Sequence, residues 1–274
     1  MKSSELYSRL AVYLPIFEKI YNTCNKRELV HPDPLEFLYD YPHIADREIA
    51  GFIASSLAYG RVTQIIKSVG KVLAPLGNSP GRTIIDLSDD FLLSTYRDFS
   101  HRFTTGLEMA GLLRGIRDTV IEYGSIEAAF SWHIARNEDF KAGIDETVKK
   151  IERNGFTEKS SLLARPSGKS ACKRLFLFLK WMVRNDEVDP GGWTSILPKD
   201  LLMPVDTHIL NISKRLLLTE RKQADIKTVI EITDAFRSIC PEDPLKYDFV
   251  LTRFGIRNDM TLDDLFQKCG CGNS

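Results

Sequence analysis

The stretch Leu202–Leu216, LMPVDTHILNISKRL, places an aspartate between an apolar Pro-Val turn and an amphipathic segment. Ile209, Leu210 and Ile212 recur at helical spacing, so a helix is expected to start just after Asp206. Aspartate is a favoured residue before the first helical turn, because its carboxylate accepts backbone N–H groups that lack a partner. It also complements the positive helix end. An N-cap role explains Asp206 structurally. A carboxylate at a helix start behind an apolar approach is also placed to act on a ligand.

The same periodicity runs through most of the chain, and sustained alternation of apolar and polar residues is scarce. Ile49, Phe52, Ile53 and Leu57 form one stripe behind Asp46, which reads as an N-cap. Thr105 and Glu108 have capping-box spacing, and Gly124 is placed to stop their helix. Further helices are expected over 125–136, 139–155 and 224–240, the second ending at Gly155 and the third before Pro241. The expected fold class is all-α.

The chain has 274 residues, with 37 basic and 37 acidic side chains, so its overall field selects no partner. A nucleic acid would need a local basic patch. The N-terminal segment is interrupted by charge and lacks a signal-like apolar run, and no run is long enough to span a bilayer. A cytoplasmic protein without membrane contact is expected. Its five scattered cysteines, Cys24, Cys172, Cys240, Cys269 and Cys271, read as free thiols.

One segment breaks the charge balance. Residues 160–184 contain Arg165, Lys169, Lys173, Arg174, Lys180 and Arg184 and no acidic residue. RPSGKS reads as a turn, followed by a helix from about Ala171 with Ser170 as its cap. Leu175, Phe176, Leu179, Met182 and Val183 mark the buried side. Lys173, Lys180 and Arg184 share another face through spacings of seven and four. Arg165, Ser167, Gly168, Lys169 and Ser170 would supply backbone N–H groups and cations to a phosphate. A solvated cationic face is the structural alternative. A nucleotide phosphate loop is excluded by spacing, since Leu163 occupies the position of the first glycine.

The order of these features resembles the helix-hairpin-helix DNA glycosylases. PVDTHI, followed by YDFVLTRFGI, is the most specific match, and DREIAGFIASSLAYGRV and HRFTTGLEMAGLLRGI are similar to earlier helices, nearest the 8-oxoguanine branch. The chain departs from the family in reading RPSGKSACKRL at the hairpin and LAYGR at the end of the early helix. The resemblance implies a two-lobed helical fold with a hairpin-like element at its cleft. One lobe would comprise residues 46–185, and the second residues 1–45 together with 200–274. It implies excision of a damaged base, an oxidised purine, from double-stranded DNA by a monomer without a cofactor or metal. The cysteine spacing of an iron–sulfur cluster is missing.

In that reading Asp206 is the catalytic carboxylate and Lys173 the amine that forms a Schiff base, with Lys169 as the competing lysine. An attacking amine must be neutral for part of the time, which the positive end of a helix and neighbouring cations favour. Lys173 stands at the start of its expected helix, beside Arg174 and near Lys169. Lys180, Arg184 and His208 would join the turn in contacting DNA. Trp193, in an expected exposed loop, and Tyr247 and Asp248, on the late helix, would form the base pocket. A non-catalytic nucleic-acid binder on the same scaffold is the alternative function.

Overall fold

The computed structural model describes residues 10–137, 139–155, 160–256 and 261–268, and it is mainly helical, as the periodicity implies. Helix α1 (Leu14–Cys24) leads through a 3-10 segment, Pro34–Asp40, to α2 (Ile44–Ser56), α3 (Val62–Leu73), α4 (Pro80–Asp86) and α5 (Asp89–Thr95). A short hairpin, β1 (Ser100–His101) and β2 (Thr104–Thr105), precedes α6 (Gly106–Tyr123), α7 (Ile126–Ala135) and α8 (Phe140–Gly155). After an irregular stretch come α9 (Lys173–Val183), α10 (Thr207–Arg215), α11 (Ile226–Ile239), α12 (Asp248–Ile256) and α13 (Leu262–Lys268). Among the described residues the hairpin is the only sheet. No described helix is long and apolar enough to cross a membrane.

Helix α2 occupies the middle of the molecule, and every residue from Glu48 to Ser56 is buried. It packs against Pro34–Asp40, α4 and α9, so it lacks the solvated face of an amphipathic surface helix. Its two buried acids serve other elements. Asp46 was expected to cap its own helix, but α2 begins two residues earlier, at Ile44, and Asp46 Oδ1 instead accepts the Gly81 N–H at 2.9 Å. Glu48 accepts the Ile126 and Glu127 N–H groups at the start of α7 at 2.9 and 3.2 Å, and the Trp193 indole N–H at 3.2 Å. Orphan donors at one helix end are thus satisfied by a carboxylate from another helix.

The capping box of Thr105 and Glu108 forms as its spacing implies, and Gly124 closes α6 in the left-handed conformation at φ 88°. Helices α6 and α8 approach so closely that a Cβ on Gly155 would lie 2.1 Å from the Gly111 carbonyl oxygen. Glycine ends α8 for steric reasons, since any side chain there would strike the backbone of α6. Helix α9 starts at Lys173, two residues later than expected. Cys172 precedes it at φ 50°, and the Ser170 hydroxyl accepts the Cys172 N–H at 3.1 Å rather than capping the helix.

Helix α1 meets the later helices through aromatic contacts: the Phe17 ring lies 5.5 Å from that of Tyr247 and 6.2 Å from that of Phe236 of α11. Removing a side chain such as Phe17 from water contributes about 1.5–3 kcal/mol. Buried apolar side chains from Leu10 to Leu265 form one connected cluster. Cys172 and Cys240 are free thiols, as the sequence implies, whereas Cys269 and Cys271 lie outside the described residues.

Candidate active site

A cavity of about 860 Å³ opens where five segments converge. Pro32–Leu35 form one wall, the turn after α2 from Ala58 to Val62 forms a second, and α9 contributes Lys173, Leu177, Lys180 and Trp181. The start of α10 supplies Asp206, Thr207 and His208, and α12 supplies Asp248, Phe249, Thr252 and Arg253. Apolar side chains dominate the lining, with charged groups at a few positions, which is the composition of a small-molecule or cofactor site.

Asp206 is the N-cap of α10, and its Oδ1 accepts the backbone N–H groups of His208 and Ile209 at 2.9 and 3.0 Å. Both bonds use the same oxygen. Oδ2 makes no hydrogen bond among the described residues, so the capping carboxylate keeps one oxygen available. Lys173 is the first residue of α9, half-buried, with no hydrogen bond or ion pair to any described side chain. An amine and a carboxylate distant in sequence thus line one cavity.

Beneath them lies a buried charge cluster. Lys180 Nζ is 3.0 Å from Asp189 Oδ1 and 3.4 Å from Asp248 Oδ2. Arg184 contacts Asp189, approaches Asp186 at 2.9 Å, and holds Asp243 through both of that carboxylate's oxygens at 3.0 Å. Two cations therefore face four carboxylates. Burial opposes the Lys180 charge, but Asp189 and Asp248 outweigh it, and the lysine's pKa is raised above its ordinary value. The excess of acid falls on Asp248. Burial first, then Asp206 and Asp189, push its carboxyl above the usual range, against the pull of Lys180 and Lys173. Its Oδ1 is buried without a partner, an unusual condition for a polar atom.

Arg253, on the same helix as Asp248, is 3% exposed and pairs with Asp33 at 2.9 Å, while its Nε lacks a partner. The guanidinium stacks 4.5 Å from the Phe249 ring centroid. The same helix therefore brings to the lining an unsatisfied acceptor, Asp248 Oδ1, and an unsatisfied donor, Arg253 Nε–H.

Residues 33–257 match the family described as Protein of unknown function (DUF2400). The chain belongs to this family. The span matched by the DUF2400 family covers every charged residue of the cavity, from Asp33 to Arg253. No curated protein and no solved structure matches the chain.

Several site residues read from the sequence meet in the cavity of this DUF2400 member: Lys173, Asp206, His208 and Asp248. Others require correction. Lys180 and Arg184 were assigned to an exposed phosphate-binding face, but they are 1% and 2% exposed and locked into ion pairs. Their partners come from outside the acid-free segment, so local charge counting could not reveal them. Trp193 was placed on an exposed loop. It is buried against Phe130 and Phe178, with its indole N–H committed to Glu48. Tyr247 is buried too, donates to Glu18, and is outside the cavity lining.

The basic turn is only partly available. The Ser167 N–H donates to Asp145 at 2.8 Å, the Gly168 N–H to the Arg165 carbonyl at 2.9 Å, and Arg165 approaches Glu152 at 3.4 Å. The expected anion-binding N–H groups are thus occupied by acids and carbonyls nearby. Lys169 and Ser170 are exposed, and Lys169 is not part of the cavity wall. Sequence reasoning missed Asp33, Tyr59, Gly60, Trp181 and Arg253. Arg253 had a local signal, as the one cation within YDFVLTRFGI after its opening residues, but Asp33 and Tyr59 had none.

Proposed function

We propose that this chain is a DNA glycosylase that excises a damaged base and then cleaves the strand through a lysine Schiff base. The observation that carries this reading is that Lys173, free of ion pairs, and Asp206, with one carboxylate oxygen free, line the same cavity. A volume near 860 Å³ accommodates a nucleotide turned out of a duplex. Helical composition is compatible with the two-lobed glycosylase fold, and the finer assignment of a helix-hairpin-helix element belongs to this proposal.

In the proposed reaction the bond between the base nitrogen and sugar C1′ breaks, and its electron pair leaves with the base, which takes up a proton. Asp206 stabilises the positive charge that develops on the sugar. The neutral Lys173 amine bonds to C1′, loses a proton, and the sugar ring opens to a protonated Schiff base. Loss of a C2′ proton then expels the 3′ phosphate and cleaves the strand. Hydrolysis of the Schiff base returns the lysine.

Asp248 supports an oxidised purine as the substrate. In its ionised form its unpartnered oxygen accepts an N–H from the base, and 8-oxoguanine carries a hydrogen on N7 where guanine has only a lone pair. A site built to satisfy such a hydrogen discriminates strongly against the base that lacks it. In this reading the protein acts as a monomer on double-stranded DNA in the cytoplasm.

The test is incubation with duplexes that each carry a single lesion, with and without borohydride. Excision of one oxidised purine and a borohydride-trapped adduct are expected. Duplex binding without excision or trapping across the panel would replace this reading with a non-catalytic binder.

A further inference from the structure

Ser100 pairs with Thr105 and His101 with Thr104, which leaves Arg102 and Phe103 as the two residues of a tight turn. Phe103 is 75% exposed, the highest value for a large apolar side chain among the described residues. Arg102 holds φ at 53°, and its guanidinium carbon lies 5.4 Å from the Phe103 ring centroid. An isolated exposed phenylalanine is ordinary. A strained cationic neighbour at the tip of a hairpin is less so, because each such backbone position costs of the order of 1–3 kcal/mol.

The hairpin is fixed to the rim of the cavity. Tyr59, which lines the cavity, donates from its hydroxyl to the His101 carbonyl at 2.8 Å and lies 2.6 Å from Thr104 Oγ1. The His101 ring is buried between Ser68 Oγ, at 2.9 Å, and the Tyr59 carbonyl, at 3.0 Å. Gly60, another lining residue, allows contact with the tip: a Cβ there would lie 2.8 Å from Arg102 Cδ. The base of the hairpin is held rigid, while its tip carries an aromatic ring and a guanidinium into solvent.

We propose that Arg102 and Phe103 form the wedge that enters the duplex and fills the gap left when a nucleotide turns into the cavity. This rests on the reading of the cavity as a base-excision site. An apolar ring can stack between exposed bases, as intercalating side chains do at kinked steps. The adjacent guanidinium can meet a phosphate or the orphaned base. A tip already ordered in the free protein loses little entropy on insertion.

The test uses the full chain and a duplex containing a tetrahydrofuran abasic-site analogue opposite 2-aminopurine, whose fluorescence rises when it is unstacked. The unmodified protein is expected to bind and to raise the fluorescence. Phe103→Ala should keep its circular dichroism spectrum and melting temperature, since the side chain is exposed, but weaken duplex binding about tenfold or more. Its fluorescence should stay near that of free duplex, and Phe103→Trp should restore the rise. An undiminished rise with Phe103→Ala would overturn the wedge and leave the excision reading standing. Binding by the unmodified protein without any rise would do the same, whereas failure to bind duplex would overturn both.

Discussion

Asp248 Oδ2 lies 3.4 Å from Lys180 Nζ, and Asp248 Oδ1 is buried without a partner. Lys180 pairs with both Asp189 and Asp248, so removing its charge leaves Asp248 without its cation and Asp189 with Arg184 alone. Lys180→Met should destabilise the fold by about 3–5 kcal/mol, the usual consequence of breaking a buried ion pair. Urea denaturation measures this directly. A change within about 0.5 kcal/mol would instead fit a surface cation.

Glu48 makes a separate prediction about pH. Burial pushes its carboxyl from 4.5 to about 7, against the opposing bonds from Ile126, Glu127 and Trp193. The folded state therefore holds this proton more tightly than the unfolded chain does. The sign follows: Glu48 favours folding most below about pH 4.5, and its contribution falls as pH rises to about 7. The loss amounts to roughly 3 kcal/mol. Glu48→Gln does not titrate, so its stability relative to the unmodified protein should improve between pH 5 and pH 8. A constant difference over that range would show that Glu48 stays ionised.

Local rules read this chain well where a helix end depends on neighbours in sequence. The Thr105–Glu108 box, the Gly124 stop and the Asp206 cap each involve residues within a few positions. Burial of charge was not legible in the same way. Spacing shows that Lys173, Lys180 and Arg184 lie toward related faces of α9, but not which side meets solvent. Tertiary packing decides that, by bringing Asp243, 59 residues from Arg184, and Asp248 up to cations that also pair with Asp186 and Asp189. Asp46 failed as a cap for the same reason, because its partner is Gly81, 35 residues away. Within the cavity, sequence supplied the amine, the capping carboxylate and Asp248, while the walls from Pro32–Leu35 and Ala58–Val62 depend on tertiary packing.

The two candidate lysines differ in place. Lys173 lines the cavity, and Lys169 is exposed on the turn outside it. Lys173→Gln should abolish borohydride trapping, since an amide cannot form a Schiff base, and Lys169→Gln should leave it unchanged. Mass spectrometry of the trapped peptide identifies the residue. Trapping that survives Lys173→Gln and disappears with Lys169→Gln would reverse the assignment.

Asp206 separates structural support from chemistry through a single substitution. Its Oδ1 accepts two backbone N–H groups, and the amide oxygen of asparagine can accept the same pair, so Asp206→Asn should retain stability within about 0.5 kcal/mol. Binding to a lesion-containing duplex should also persist, because the cations and the cavity walls are unaltered. What asparagine lacks is the negative charge on Oδ2, which in the proposed reaction matters when positive charge develops on the sugar. Excision should therefore fall by about a hundredfold or more in a single-turnover assay, with little change in Kd. Nearly unchanged excision would confine Asp206 to capping α10. A parallel loss of stability and binding would show instead that its charge is needed to hold the cavity together.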